Sequence, residues 1–247
     1  MPIPPLTGKS ALITGGARRI GREIALTLAR AGADVAITYR NSETEANQTS
    51  TDIAALGVRS TAIQCDVRNE LSVRHAVSQT VAAFGRLDIL VNNAAVFASA
   101  DLATLTLAEW DTVFATNTRG PFLVSREALP HLRATQGSIV NIGSLGGIRA
   151  WAGHAHYCSS KAALHMLTQV MAKAFAPEVR VNCVAPGYIE LEDSSLESAT
   201  DAGRFAAKTP LARNGSASEI AHAVLYLSAY APFTTGQILT IDGGLGL

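Results

Sequence analysis

The sequence predicts an α/β domain of the doubly wound kind, in which seven parallel strands form one sheet with helices on both faces. Three observations carry this: short β-rich apolar runs alternate with helical patterns, those runs are apolar on both faces, and a glycine-rich turn follows the first run. The strands are read at Ala11 to Thr14, Val35 to Tyr39, Thr61 to Cys65, Ile89 to Val91, Ser138 to Ile142, Val179 to Val184 and Ile238 to Ile241. Between them, Glu23 to Arg30, Leu71 to Phe84 and Ala162 to Phe175 repeat apolar residues every three or four positions, so each lays one face on the sheet. Gly32, Gly57 and Gly85 stand where helices need a left-handed stop. No repeat, low-complexity tract or linker divides the chain, and 1–247 is expected to be a single domain. From Gly187 to Thr209, however, Glu190, Glu192, Asp193, Glu197 and Asp201 interrupt any core pattern. An irregular, mobile substrate lid is expected at about 187–209.

Composition narrows the function. A chain of 247 residues with 48% hydrophobic content can bury a large core, which excludes disorder. Its 20 basic and 20 acidic side chains cancel, so no broad positive field exists to hold a nucleic acid or an anionic membrane surface. Without a bilayer-length apolar run or a leader pattern, the expected location is cytoplasmic and the expected ligand a small molecule. Cys65, Cys158 and Cys183 are odd in number and form no paired motif, so free thiols are expected. His154 and His156 lack a third partner at metal-site spacing, so no metal is expected.

The residues that carry chemistry begin at the first turn. Thr14 to Gly21 (TGGARRIG) joins strand to helix, and Gly15, Arg18, Arg19, Ile20 and Gly21 can bring backbone N–H groups and a helix N-terminus close to a pyrophosphate. The second strand ends in Tyr39, Arg40, Asn41 and Ser42, with no carboxylate to accept from a ribose 2′-hydroxyl. Arg19 and Arg40 instead suit a 2′-phosphate, whose oxygens pair with guanidinium forks, and this favours NADP(H) over NAD. Tyr157 and Lys161 are four residues apart, which puts them on one helix face, and Ser144 lies just past the fifth strand at the carboxyl edge. A phenol beside an ammonium is expected to have a lowered pKa suited to proton transfer. Ser144 is not a hydrolase nucleophile, because Ile142 stands where a nucleophile elbow has its first glycine.

These residues, with the CDV at Cys65, NNAA at Asn92, Pro186-Gly187 and IDGG at Ile241, resemble the short-chain dehydrogenase/reductases from about Leu6 to Gly244. The resemblance implies a Rossmann-type domain and a catalytic tetrad of Asn117, Ser144, Tyr157 and Lys161. In it Ser144 holds the substrate carbonyl, Tyr157 protonates its oxygen, Lys161 binds the nicotinamide ribose and lowers the tyrosine pKa, and Asn117 holds a relay water. It further implies that Asp66 and Val67 meet adenine, that Asn93, Ala94 and Ala95 line the adenine-side ribose, and that Pro186, Gly187 and Ile189 meet the nicotinamide amide. A homotetramer is also implied, and we assign Leu123, Leu164 and Leu167 to its interfaces.

Arg19, Tyr39, Ser42 and Phe97 together resemble the pteridine-reductase branch and its bacterial relatives, in which a phenylalanine at the Phe97 position stacks on a flat ring. Phe97 and Trp151, both near Ser144 and Tyr157, are therefore assigned to a planar or cyclic substrate. An NADPH-dependent carbonyl or imine reductase is the expectation. The rival within the family is a 3-oxoacyl-acyl-carrier-protein reductase. The rival outside enzymes is an NADP-binding sensor, against which stands the presence of both Tyr157 and Lys161.

Overall fold

The computed structural model describes residues 3–190 and 196–247, with the side chains of 196–201 also outside the described set. Its elements run β1 (Ser10–Ile13), α1 (Arg19–Arg30), β2 (Asp34–Tyr39), α2 (Glu43–Ala54), β3 (Ser60–Gln64), α3 (Glu70–Phe84) and β4 (Ile89–Asn92). They continue with α4 (Leu107–Phe114), α5 (Gly120–Thr135), β5 (Ser138–Ile142), α6 (Ala155–Phe175), β6 (Arg180–Pro186), α7 (Leu196–Lys208), α8 (Ala217–Leu225) and β7 (Ile238–Ile241). A π turn, Ala115–Arg119, joins α4 to α5.

All seven strands are parallel, in the order β3-β2-β1-β4-β5-β6-β7, so the predicted doubly wound single-domain sheet is what forms. Alternation along the central strands divides their side chains between two cores. Ala11, Ile13, Val35, Ile37, Ile89 and Val91 face α1, α2 and α8, while Leu12, Ala36, Leu90 and Ile139 face α3, α5 and α6. The order reverses between β1 and β4, and a crevice opens there at the carboxyl edge.

The sheet and the two helices around the crevice are tied by buried amides. Asn92 on β4 donates to Ser125 Oγ of α5 (3.0 Å) and to Asn141 Oδ1 of β5 (2.8 Å), and Asn141 donates to Thr168 Oγ1 of α6 (2.8 Å). This places α6 at a fixed height above the end of β5.

Two expectations need correction. The segment expected to be irregular contains the helix Leu196–Lys208. Residues 191–195 of the expected lid lie outside the described residues. Leu123 and Leu164, assigned to subunit contacts, are buried within this chain, and Leu167 packs against the core of α3, α5 and α6. The apolar side chains that those helices leave exposed are Phe122, Met166 and Val170. Among the described residues no helix is long and apolar enough to cross a membrane.

Replacing Asn141 by Leu removes the acceptor of one Asn92 amide hydrogen and the donor to Thr168 Oγ1 in a buried layer, while Asn92 keeps Ser125 and Thr168 keeps Leu164 O. It is expected to lower the unfolding free energy by about 2–3 kcal/mol, read from the urea midpoint.

Candidate active site

The glycine turn is held against β2 and β4 by its own backbone. Gly16 N donates to Thr38 O (3.0 Å), and Asn93 and Ala94 both donate their amides to Thr14 Oγ1 (3.0 Å each). The Asn93 side chain donates to the carbonyls of Thr14 and Gly15 (2.9 Å each), so the residue assigned to the ribose region also braces the turn. A Cβ on Gly21 would lie 2.3 Å from Gly15 O, which is why α1 can start this close to β1 only with glycine there.

Around this turn a cleft of about 560 Å³ gathers most of the residues assigned to the cofactor. Gly15, Arg18, Arg19, Ile20 and Gly21 line one side, Tyr39, Arg40, Asn41 and Ser42 the far corner, and Asp66, Val67, Asn93, Ala94 and Ala95 the floor. Phe97 and Tyr157 close its inner end. Pro186, Gly187 and Ile189 do not line this cleft. Pro186 ends β6, Gly187 donates to Ile241 O (3.0 Å), and Ile189 pairs with Gly215, which puts all three on the sheet edge beyond Ser144. Arg68, which the sequence reading missed, grips Asp66 through Nε (2.9 Å) and Nη2 (2.5 Å). That hydrogen bonding holds the Asp66 carboxyl below its ordinary pKa.

At the inner end, Ser144 Oγ accepts from Gly146 N (3.0 Å), and the Ser144 side chain is near enough to the Tyr157 phenol to pull its pKa down. Lys161 is buried on the same face of α6, donates to Ile142 O (2.8 Å) and lies 5.9 Å from the Tyr157 ring centre. Burial lowers its pKa to about 8. The expected lowering of the tyrosine pKa by this lysine is not what the geometry gives. Burial pushes Tyr157 up, the Ser144 hydrogen bond pulls it partly back, and the Lys161 ammonium is turned to a carbonyl rather than to the phenol.

Asn117 sits on the π turn, with Oδ1 accepting from Val96 N (2.8 Å) and Nδ2 donating to Val96 O (2.9 Å) and Ser160 Oγ (3.1 Å). Ser160 Oγ in turn donates to Tyr157 O (2.7 Å), so Asn117 clamps the loop after β4 to the first turns of α6.

Phe97 is 63% exposed and meets the Tyr157 ring edge-on at 4.8 Å. Its partner on one face is His154, stacked at 4.8 Å and 21°, and His154 Nδ1 is hydrogen-bonded to Ala98 O (3.1 Å). Trp151 meets His154 edge-on at 6.1 Å rather than Phe97. Sequence reasoning weighed His154 only as a metal ligand. Among the described residues no cluster of His, Cys, Asp and Glu could hold a metal. It also missed Tyr188 and Phe205, stacked at 4.6 Å between the end of β6 and α7.

Known proteins share this layout. A family model described as enoyl-(acyl carrier protein) reductase matches residues 15–246. The 3-oxoacyl-acyl-carrier-protein reductase of Staphylococcus aureus is 38% identical over 240 residues, covering 96% of this chain and 98% of that protein. A short-chain dehydrogenase/reductase from Serratia marcescens superposes with a TM-score of 0.92 at 37% identity, covering 98% of this chain and 100% of that one. A blue fluorescent protein from a metagenomic library, solved in complex with NADPH, gives a TM-score of 0.91 at 34% identity, covering 98% of this chain and 100% of that one.

One residue of the cleft is strained. Arg19 opens α1 at φ 54°, a left-handed conformation that costs a side-chain-bearing residue about 1–2 kcal/mol. Glycine relieves the strain but has more freedom to lose on folding, so Arg19→Gly is expected to raise stability by about 0.5–1 kcal/mol, seen as a higher melting temperature.

Proposed function

This chain belongs to the short-chain dehydrogenase/reductase family of oxidoreductases, and from that premise we propose that it is an NADPH-dependent reductase of a carbonyl or imine in a small, planar or cyclic substrate. The observation that carries the reading is the buried Tyr157 phenol beside the Ser144 side chain, with the exposed ring of Phe97 at its edge.

The donor set of the cleft fits a phosphorylated dinucleotide. Arg18, Arg19 and Arg40 gather at the corner beyond the glycine turn, and the end of β2 brings no carboxylate there. The NADPH complex of a structural neighbour supports the same choice. When bound, such a cofactor supplies a hydride for the electrophilic carbon of the substrate.

The chain's own residues handle the proton. Ser144 donates to the substrate oxygen and orients it, while Tyr157, kept as a phenol by burial, gives that oxygen its proton. Lys161 keeps its positive charge below about pH 8 and stabilises the phenolate left behind. Phe97 offers its remaining face to a flat ring, worth about 0.5–1.5 kcal/mol beyond area burial. We include a homo-oligomer, supported by the exposed Phe122, Met166 and Val170 on α5 and α6. The helix α7, seated on Tyr188 through Phe205, is proposed as the substrate-side cover.

A second reading is a 3-oxoacyl-acyl-carrier-protein reductase, favoured by the 38% identity with the staphylococcal enzyme. An acidic carrier needs a basic face. Along α3 and α5, Arg126 is paired with Glu70 and Arg74 lies between Glu70 and Glu127, which leaves Arg133 as the arginine of these two helices without an ion pair among the described residues, a single positive charge rather than a basic face.

A screen with NADPH against pterins, quinones, 3-oxoacyl thioesters and simple ketones separates the two. With whichever substrate turns over, Tyr157→Phe is expected to lower kcat at least about a hundredfold while NADPH binding, measured by titration, is kept; undiminished turnover would overturn the acid assignment. Phe97→Ala is expected to raise KM for a cyclic substrate far more than for a small linear ketone, and equal effects would remove Phe97 from the substrate site.

A further inference from the structure

Behind Ser144 lies a histidine that the reaction as proposed does not use. His165 follows Lys161 by one turn of α6 and is 8% exposed. Its Nε2 accepts the backbone N–H of Ser144 at 3.4 Å. The ring is wedged between two glycines of the segment that carries Ser144. A Cβ on Gly143 would lie 2.3 Å from its Nε2, and one on Gly147 would lie 2.6 Å from its Cε1. The backbone on both sides of Ser144 is thus shaped around this imidazole, and no side chain could be added at either position without displacing it. Ser144 is extended, with its Oγ accepting from Gly146 N, so the amide is held from behind by His165 while the hydroxyl faces Tyr157.

We propose that His165 is a positioning residue: by accepting the Ser144 amide it fixes the loop in which the Ser144 hydroxyl reaches Tyr157. The proposal rests on the reading that this hydroxyl pair handles the substrate oxygen, yet its geometric content can be tested without a substrate. The groups around the ring agree with an acceptor role. Burial, helped by the Lys161 ammonium one turn away, pulls His165 down to about 4, so the ring is neutral in the physiological range. Cys183, whose Sγ lies against the same Gly143, has its thiol pushed up to about 12 by burial and brings no charge, and Tyr157 is held as a phenol. With Nε2 accepting, the imidazole proton resides on Nδ1.

The test is NMR titration of the protein with ring-labelled tyrosine and imidazole-labelled histidine, the Tyr157 signal being identified by its loss in Tyr157→Phe. Since the Ser144 side chain lowers the Tyr157 pKa, His165→Leu is expected to raise it, and Ser144→Ala to raise it in the same direction. His165→Gln, whose amide oxygen reaches the place of Nε2, is expected to keep the wild-type value. In the Ser144→Ala background His165→Leu should add nothing. An unchanged Tyr157 titration in His165→Leu overturns the proposal, as does an equal shift with and without Ser144. Should His165→Leu fail to fold, the wild-type nitrogen shifts decide alone: a bare Nε2 at neutral pH upholds the acceptor role, and a protonated Nε2 overturns it. None of these outcomes depends on which substrate the enzyme reduces.

Discussion

The site depends on backbone approaching backbone where a side chain would forbid it. Gly21 lets α1 start within contact of the Gly15 carbonyl, and the whole cofactor cleft follows from that approach, because the turn it tightens is the one that Thr14 and Asn93 latch to β4. The same device recurs two strands over, at the end of β5. Gly143 and Gly147 leave room for His165 and Cys183, and so set the height of Ser144 above β5. Gly187 repeats it at the end of β6, where a Cβ would lie 2.7 Å from the Asp242 side chain. Three strands of the sheet, β1, β5 and β6, thus deliver their carboxyl ends to one crevice through positions that tolerate no Cβ.

Burial then decides the chemistry. The inner face of α6 carries Tyr157, Lys161 and His165 in succession, with Cys183 across from them, and desolvation moves each toward its neutral form. For Tyr157 this means a phenol that persists above its ordinary range, and for Lys161 a charge that starts to be lost near pH 8. Below that pH the pair is phenol plus ammonium, the protonation pattern of an acid ready to give up its proton beside a cation. An activated tyrosinate, which the spacing of Tyr157 and Lys161 suggests, would serve the reverse reaction better.

What the sequence made legible was what lies close together along the chain. The seven strands were readable because apolar runs of both-face burial are local, and their ends moved by a residue or two, most at β6, where Ala185 and Pro186 extend the pairing. The cofactor corner was readable because the glycine turn and Tyr39 to Ser42 are each continuous. The start of α6 was readable only through the spacing of Tyr157 and Lys161: Ala155 to Ser160 is otherwise polar, and what holds it in place, the hydrogen bonds of Asn117 and Thr118 to Ser160, comes from a distant part of the chain. Arg68, His165 and Phe205 escaped notice, and His154 was weighed only for metal, for a related reason. Each acts through a partner brought near by folding, and nothing in the residue type alone separates a ring that stacks on Phe97 from one that fills a core.

That division has a consequence for how such a chain changes its substrate. The cofactor end is built from a local turn braced by the sheet, and substitution there disturbs β1, β2 and β4 together. The reaction end is held by contacts between loops: Ala98 with His154, Ala100 with Gly153, and Tyr188 with Phe205. These can be exchanged without touching the strands, so the ring presented to the substrate can vary while Ser144, Tyr157 and Lys161 stay in register. The 38% identity with an acyl-carrier-protein reductase is then compatible with a different substrate, because Phe97 and His154 belong to this wall of loops rather than to the sheet, the glycine turn or the body of α6.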